Sequence, residues 1–270
     1  MANRSAADTR PRSFAEILDG SVRHYRSQFL RLLTPFLPMA GIDVLSAFLT
    51  TFAQAQTLGS SDAASPPASA VAALGLGVLC AFARWAAYLL GMAADIHLVG
   101  ADLEGRPLSA REGWSLAGRH FWMFLGLTIV VALVVCFGFF ALVVPGIYLA
   151  VRFSVSSQAL LLERKDVGDA LARSGELVRG HFWRAIALMI LVAILTTILS
   201  LPSAGISVLS IFFVDEEGGA DLGFYVVLAI GQLATVLVTT VLSPLAPAVF
   251  THFYADLRVR EAPRAAEPIA

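Results

Sequence analysis

The chain has 270 residues, 57% of them hydrophobic and only 14% charged, against about a quarter charged in an ordinary soluble domain. A soluble globule with a mean hydropathy of +0.75 has too few polar groups to cover its surface. A net charge of −1 and two cysteines further exclude a nucleic-acid binder and a disulfide scaffold, leaving a polytopic, all-α membrane protein as the fold class.

Residues 1–12 read as a disordered arm and 262–270 as a disordered tail, with one integral membrane domain over 13–261 between them. The first long apolar run begins near Leu32, so no secretory signal is expected ahead of it. Before that run, Ser13 and Glu16 have the spacing of a capping box. Phe14, Ile17, Leu18, Val22, Tyr25, Phe29 and Leu32 fall on one helical face, the pattern of an amphipathic helix lying in the headgroup layer.

Six apolar stretches follow: Leu32–Phe52, Val71–Ile96, Phe121–Val144, Gly146–Leu162, Phe182–Val214 and Leu222–Tyr254. Each is near or above the roughly 20 residues that cross a bilayer as a helix. Pro35 and Pro38, Pro202, and Pro244 with Pro247 predict kinks or breaks. Cys80 and Cys136 sit inside apolar stretches as ordinary packing residues.

Seventeen of the nineteen Lys and Arg residues fall in residues 1–31, 97–119 and 163–184 or after Tyr254, at the ends of the stretches that share one side. The intervening loops Ala53–Ala70, Val143–Gly146 and Asp215–Asp221 carry none. The positive-inside rule then predicts both termini in the cytoplasm of a bacterial cell, with six spans in its cytoplasmic membrane. Three approaches to spans resemble one another: Arg26 to Arg31, Gly118-Arg119-His120-Phe121-Trp122, and Arg179-Gly180-His181-Phe182-Trp183-Arg184. Ser109 with Glu112 repeats the capping-box spacing, and Asp166 with Asp169 offers an acidic version. The chain thus reads as three repeats of amphipathic surface helix plus transmembrane hairpin. Arg23, Arg26, Arg31, Arg119, Arg179, Trp122 and Trp183 are its candidate contacts to lipid headgroups or to a partner.

Four motifs resemble a known family. They are Leu18-Asp19-Gly20 with Tyr25-Arg26 and Phe29; Pro145-Gly146-Ile147-Tyr148-Leu149-Ala150-Val151-Arg152; Arg173-Ser174 with Leu177 to Trp183; and Tyr254 to Glu261. The family is the membrane domain found attached to some glycerophosphodiester phosphodiesterases, and alone in bacterial integral membrane proteins. The likeness covers roughly residues 14–261, with Ala262 standing where the family often has glycine. In two-domain members, hydrolysis belongs to a separate soluble barrel. The resemblance therefore implies a membrane domain without catalysis.

Asp95-x-His97 and His252-x-x-x-Asp256 have spacings unlike any strong metal motif and read as polar residues at helix ends. Neither a nucleophile elbow nor a phosphate-binding loop occurs, so no catalytic residue, metal or cofactor is assigned. The strongest signal is Asp43, Arg84 and Arg152, each near the middle of an apolar stretch, where charge is costly unless paired or solvated. Arg84 precedes Asp95 by eleven residues, and Arg152 precedes Glu163 by eleven. Eleven residues are close to three helical turns, so Tyr88 and Asp95 join one polar stripe, and Ser156 and Glu163 another. Asp43 is expected to pair with Arg84 or Arg152.

Two function classes follow. One is a non-enzymatic scaffold or lipid-handling protein at the cytoplasmic face, its partners being membrane lipid (anionic phospholipid in particular), another protein or a second copy of itself. The other is a small transporter or lipid flippase with a polar intramembrane cavity.

Overall fold

The computed structural model describes residues 13–58, 68–213 and 222–265. Among these the secondary structure is entirely helical, and six helical segments are long and apolar enough to cross a membrane: Phe29–Gln56, Ala68–Leu103, Ala110–Ala141, Val143–Glu163, Phe182–Phe213 and Leu222–Glu261. They coincide with the six apolar stretches. Residues 1–12, 266–270 and most of the loops at 53–70 and 215–221 lie outside the described residues. Phe48, Phe82, Phe137 and Phe140 are each more than 60% exposed, as expected of side chains facing lipid rather than water. The chain is a multi-pass membrane protein.

The elements are α1 (Phe14–Ser27), α2 (Phe29–Leu33), α3 (Leu37–Leu58), α4 (Ala68–Leu103), α5 (Ala110–Ala141), α6 (Val143–Arg152), α7 (Ser156–Glu163), α8 (Val167–Arg179), α9 (Phe182–Leu209), α10 (Leu222–Leu242) and α11 (Leu245–Ala265). Local chemistry explains many boundaries. Ser13 and Glu16 close a full capping box on α1, and Ser109 and Glu112 do so on α5. Asp166 has the N-cap backbone of α8, but its side chain makes no capping bond, so the acidic version of the box does not form. Pro35 sits in a single 3-10 turn before α3. Pro244, which lacks an N–H, separates α10 from α11.

Three expectations are corrected here. The second basic-aromatic approach is not a helix of its own: α5 runs unbroken from Ala110 through Arg119 and Trp122 into the apolar stretch. The first approach is interrupted at Gln28 and the third at Gly180, whereas nothing after Gly118 stops the helix. The fourth stretch is broken at Phe153–Val155. There Ser154 and Ser156 make short i→i−3 backbone bonds, and the Ser156 hydroxyl donates to the Phe153 carbonyl at 2.7 Å, the competition by which serine interrupts a helix. The three-turn argument linking Arg152 to Glu163 therefore fails. The turn between the third and fourth stretches is the single extended residue Leu142, and Val143–Gly146 belong to α6.

The chain forms two compact units. The first comprises residues up to Pro35, Leu89–Val192 and the chain from Pro244 onward. Its core gathers Ile17, Phe124, Leu127, Val151, Val155, Leu160, Phe253 and Tyr254. Within it α1 packs on α11, α5 on α6, and α7 on α8. The α5–α6 contact depends on glycine: a Cβ on Gly146 would stand 2.5 Å from the Phe139 ring, and one on Gly138 would stand 3.0 Å from the Gly146 Cα. The second unit comprises Phe36–Tyr88 and Ala193–Ser243. In it α3 packs on α10, and Phe36, Met39 and Ala87 form a small core with Ile42 and Tyr88.

Candidate functional site

The second unit carries an open hollow of about 260 Å³, lined by polar side chains among helices that are otherwise apolar. Its walls are Asp43, Ser46 and Thr50 of α3, Arg84 of α4, Ser207 of α9, and Gln232, Thr235 and Thr239 of α10. Helical spacing puts them there. Asp43, Ser46, Ala47 and Thr50 stand at i, i+3, i+4 and i+7, and Gln232, Thr235 and Thr239 at i, i+3 and i+7, so each set shares one face. Gly231 sets the approach of the last wall, because a Cβ there would fall 2.6 Å from the Ser207 backbone nitrogen.

Arg84 Nε donates to Asp43 Oδ1 at 2.5 Å. Of the two partners the sequence allows for Asp43, the structure uses Arg84. The aspartate side chain is 12% exposed and the arginine 43%, so the guanidinium reaches past its partner into open space. Its terminal nitrogens have no further hydrogen-bond partner among the described residues. The Thr50, Thr235 and Thr239 hydroxyls each donate to a carbonyl of their own helix. They therefore turn lone pairs toward the cavity. The site thus offers a fork of guanidinium donors beside a carboxylate and a ring of hydroxyl acceptors.

The remaining charged candidates lie in the first unit. Arg152 ends α6, and its Nη1 meets the Tyr148 hydroxyl at 3.2 Å. Asp95 is fully buried, and among the described residues neither carboxylate oxygen has a hydrogen-bond partner. Arg84 and Asp95 share a helix but not a site. Tyr88 packs its ring against Phe36, with centroids 6.1 Å apart. Buried Ser156 serves the helix break already described. Glu163 is the hub of an ion network: it accepts from the Tyr254 hydroxyl and from Arg173 Nε at 3.3 Å, with Lys165 and Arg258 each at 3.7 Å. Arg173 also grips Glu261 with both terminal nitrogens, at 2.6 and 2.5 Å. These bonds hold the guanidinium pKa above its usual range.

The candidate headgroup contacts divide. Arg31 is turned onto Asp102, together with His24 at 3.1 Å, so it is engaged inside the unit rather than presented outward. Arg23 pairs with Asp19 one turn back on the exposed face of α1. Arg26, Arg119 and Arg179 are exposed. Trp122 and Trp183 are 78% and 79% exposed. Nearby, burial and the Asp95 carboxylate push the Tyr25 phenol up to about 12. Asp256 is held by Arg184 at 3.4 Å and Arg260 at 2.7 Å, and the His252 ring meets His24 edge-on at 5.4 Å. Among the described residues no group of three or more His, Cys, Asp or Glu is placed to hold a metal.

Reading charges alone misses Ser46, Thr50, Ser207, Gln232, Thr235 and Thr239. The signal that finds them is the i, i+3, i+7 recurrence of polar residues inside apolar stretches. No curated protein and no solved structure matches the chain. One family does, over residues 32–257, and its description carries no activity and no link to a phosphodiesterase. The chain belongs to that family, the Domain of unknown function (DUF7847).

Proposed function

We propose that this protein is a non-enzymatic, lipid-handling membrane protein whose Asp43–Arg84 cavity receives a polar headgroup or a small polar solute. The observation that carries the reading is the free guanidinium fork of Arg84 in a polar cavity within spanning helices. A pair that only fixes helix register needs no space around it. Here a hollow of about 260 Å³ opens beside it, far more than the roughly 10–15 Å³ a single water needs. The donors suit a phosphate or carboxylate and the acceptors an ammonium, so a zwitterionic or anionic head matches both walls. Such handling also accords with the proposed kinship to membrane domains attached to glycerophosphodiester phosphodiesterases, whose substrates carry phospholipid headgroups.

The placement of Lys and Arg supports an orientation with both termini in the cytoplasm of a bacterial cell. A second reading, a scaffold at the cytoplasmic face, is favoured by exposed Trp122 and Trp183 beside Arg119 and Arg179. The test is reconstitution into liposomes carrying a fluorescent phospholipid, with a membrane-impermeant quencher reporting its movement between leaflets. Accelerated movement that is lost in Arg84→Gln and Gln232→Leu supports the cavity reading. Movement no faster than in protein-free liposomes, or equally fast in both variants, overturns lipid translocation through this cavity.

A further inference from the structure

We propose a second, separate site in the first unit: an oxyanion site formed by Arg152, Arg179 and Tyr148, whose ligand is the phosphate of a phospholipid. Arg152 ends α6 and Arg179 ends α8. Together with Tyr148, Gly175, Val178 and Phe182 they line a hollow of about 130 Å³. Among the described residues no carboxylate lies within 4.0 Å of either guanidinium, although Glu176 is close by in sequence; it faces Arg173 at 3.8 Å. Two arginines converge with no acid to neutralise them. An uncompensated pair of cations beside a phenol is the donor set that phosphate oxygens satisfy, with arginine forks as the strongest contributors.

The surroundings hold the arginine in place. The Ser174 hydroxyl donates to the Arg152 carbonyl at 2.8 Å, tying α8 to the end of α6. The Nε and Nη2 edge of the guanidinium faces Gly175, where a Cβ would stand 2.9 Å from Nε and 3.2 Å from Nη2. Glycine therefore makes room for the charge itself. The hollow also has an apolar approach. Val144, Tyr148 and Arg152 follow one face of α6 at successive i, i+4 steps, and Val144, Ile147 and Tyr148 are 77%, 43% and 47% exposed. An acyl chain can lie along that face while its phosphate meets the arginines. The Tyr148 ring, 5.6 Å from that of Phe182, supplies an amphipathic aromatic of the kind that favours headgroup depth. This site stands on its own, independent of the Asp43–Arg84 cavity.

The experiment uses purified full-length protein in a neutral detergent, titrated with dioctanoyl phosphatidylglycerol or with inorganic phosphate. Bound ligand is counted by native mass spectrometry. A charge-assisted bond contributes enough that Arg152→Gln and Arg179→Gln should each weaken lipid binding about tenfold or more. Gly175→Ala should weaken it too, with every charge retained. Arg106→Gln, a surface arginine paired with Glu104, should leave it unchanged. Competition by inorganic phosphate at equal concentration identifies a free phosphate as the ligand; its absence, with the lipid still bound, identifies the headgroup. Arg179 is exposed and its loss cannot unpack the core. Wild-type affinity in both Arg179→Gln and Arg152→Gln therefore overturns the site.

Discussion

Asp43 accepts a 2.5 Å hydrogen bond from Arg84 Nε, a bond that occupies one edge of the guanidinium and leaves the other toward the cavity. The two residues thus neutralise each other without closing the site. Asp43→Asn should strand the arginine and cost about 1–3 kcal/mol, less than for a fully buried pair because Arg84 is 43% exposed. Asp43→Asn with Arg84→Gln should recover most of the loss in thermal unfolding in detergent. Arg152→Gln in the same background should recover none, and equal rescue by it would show that the pair is not the source of the stability.

Arg173 joins α8 to the last helix through two bonds to Glu261 and to α7 through Glu163. Arg173→Gln should lower stability by about 1–3 kcal/mol, the range for charge-assisted bonds. Arg173→Lys should fall between, since an ammonium cannot make the forked contact. A lysine variant as stable as wild type would show that the fork adds nothing.

Asp95 offers the opposite case. Its carboxylate is fully buried with neither oxygen hydrogen-bonded among the described residues, and a buried anion without partners is costly. Asp95→Asn should therefore unfold no earlier than wild type in a thermal melt. A loss of about 2 kcal/mol or more would mean that the carboxylate makes a stabilising contact.

The hairpin of α5 and α6 makes a steric prediction. Gly146→Val should place its branched side chain against Phe139 and cost about 1–3 kcal/mol, read as a lower thermal midpoint. Gly168 has open space around it, so Gly168→Ala should be neutral or slightly stabilising. Equal behaviour of the two variants would remove the close approach as an explanation for glycine at 146.

Orientation is checked by cysteine accessibility. A cysteine at Ser60 should react with an impermeant thiol reagent in intact cells, and one at Gly168 only after the membrane is opened. Gly105 is a poor probe position because its φ of +74° disfavours any side chain. Labelling at 168 from outside would reverse the proposed topology.

The spans were legible because length and apolarity are properties of each segment taken alone. So were the caps at Ser13 and Ser109, which need only a serine and a glutamate three residues on. Asp43 and Arg84 could be matched because each sits near the centre of its own stretch. What stayed hidden depended on cooperation. The sequence does not show that α5 runs unbroken past Gly118, since a glycine or a polar pair allows either outcome. The Phe153–Val155 break is marked by the Ser156 hydroxyl bonding the Phe153 carbonyl, with no proline to announce it. Arg31 looks like an outward cation until Asp102, far along the chain, is brought to it. The hydroxyl wall of the cavity was written in the spacing of Gln232, Thr235 and Thr239, but a threonine in an apolar helix is by itself unremarkable.

The single-residue turn at Leu142 bears on how the protein is made. The segment after it carries Arg152 and the buried polar residues Ser156 and Gln158, and each such group weakens its tendency to leave the insertion machinery for lipid by itself. The segment before it, α5, contains the long apolar run Phe121–Ala141. With one residue between them, the two cannot partition separately. They should enter the bilayer as one hairpin, with α5 carrying α6. A longer polar linker at this position would uncouple them and leave α6 stranded outside, so the shortness of the turn is itself part of the instructions for assembly.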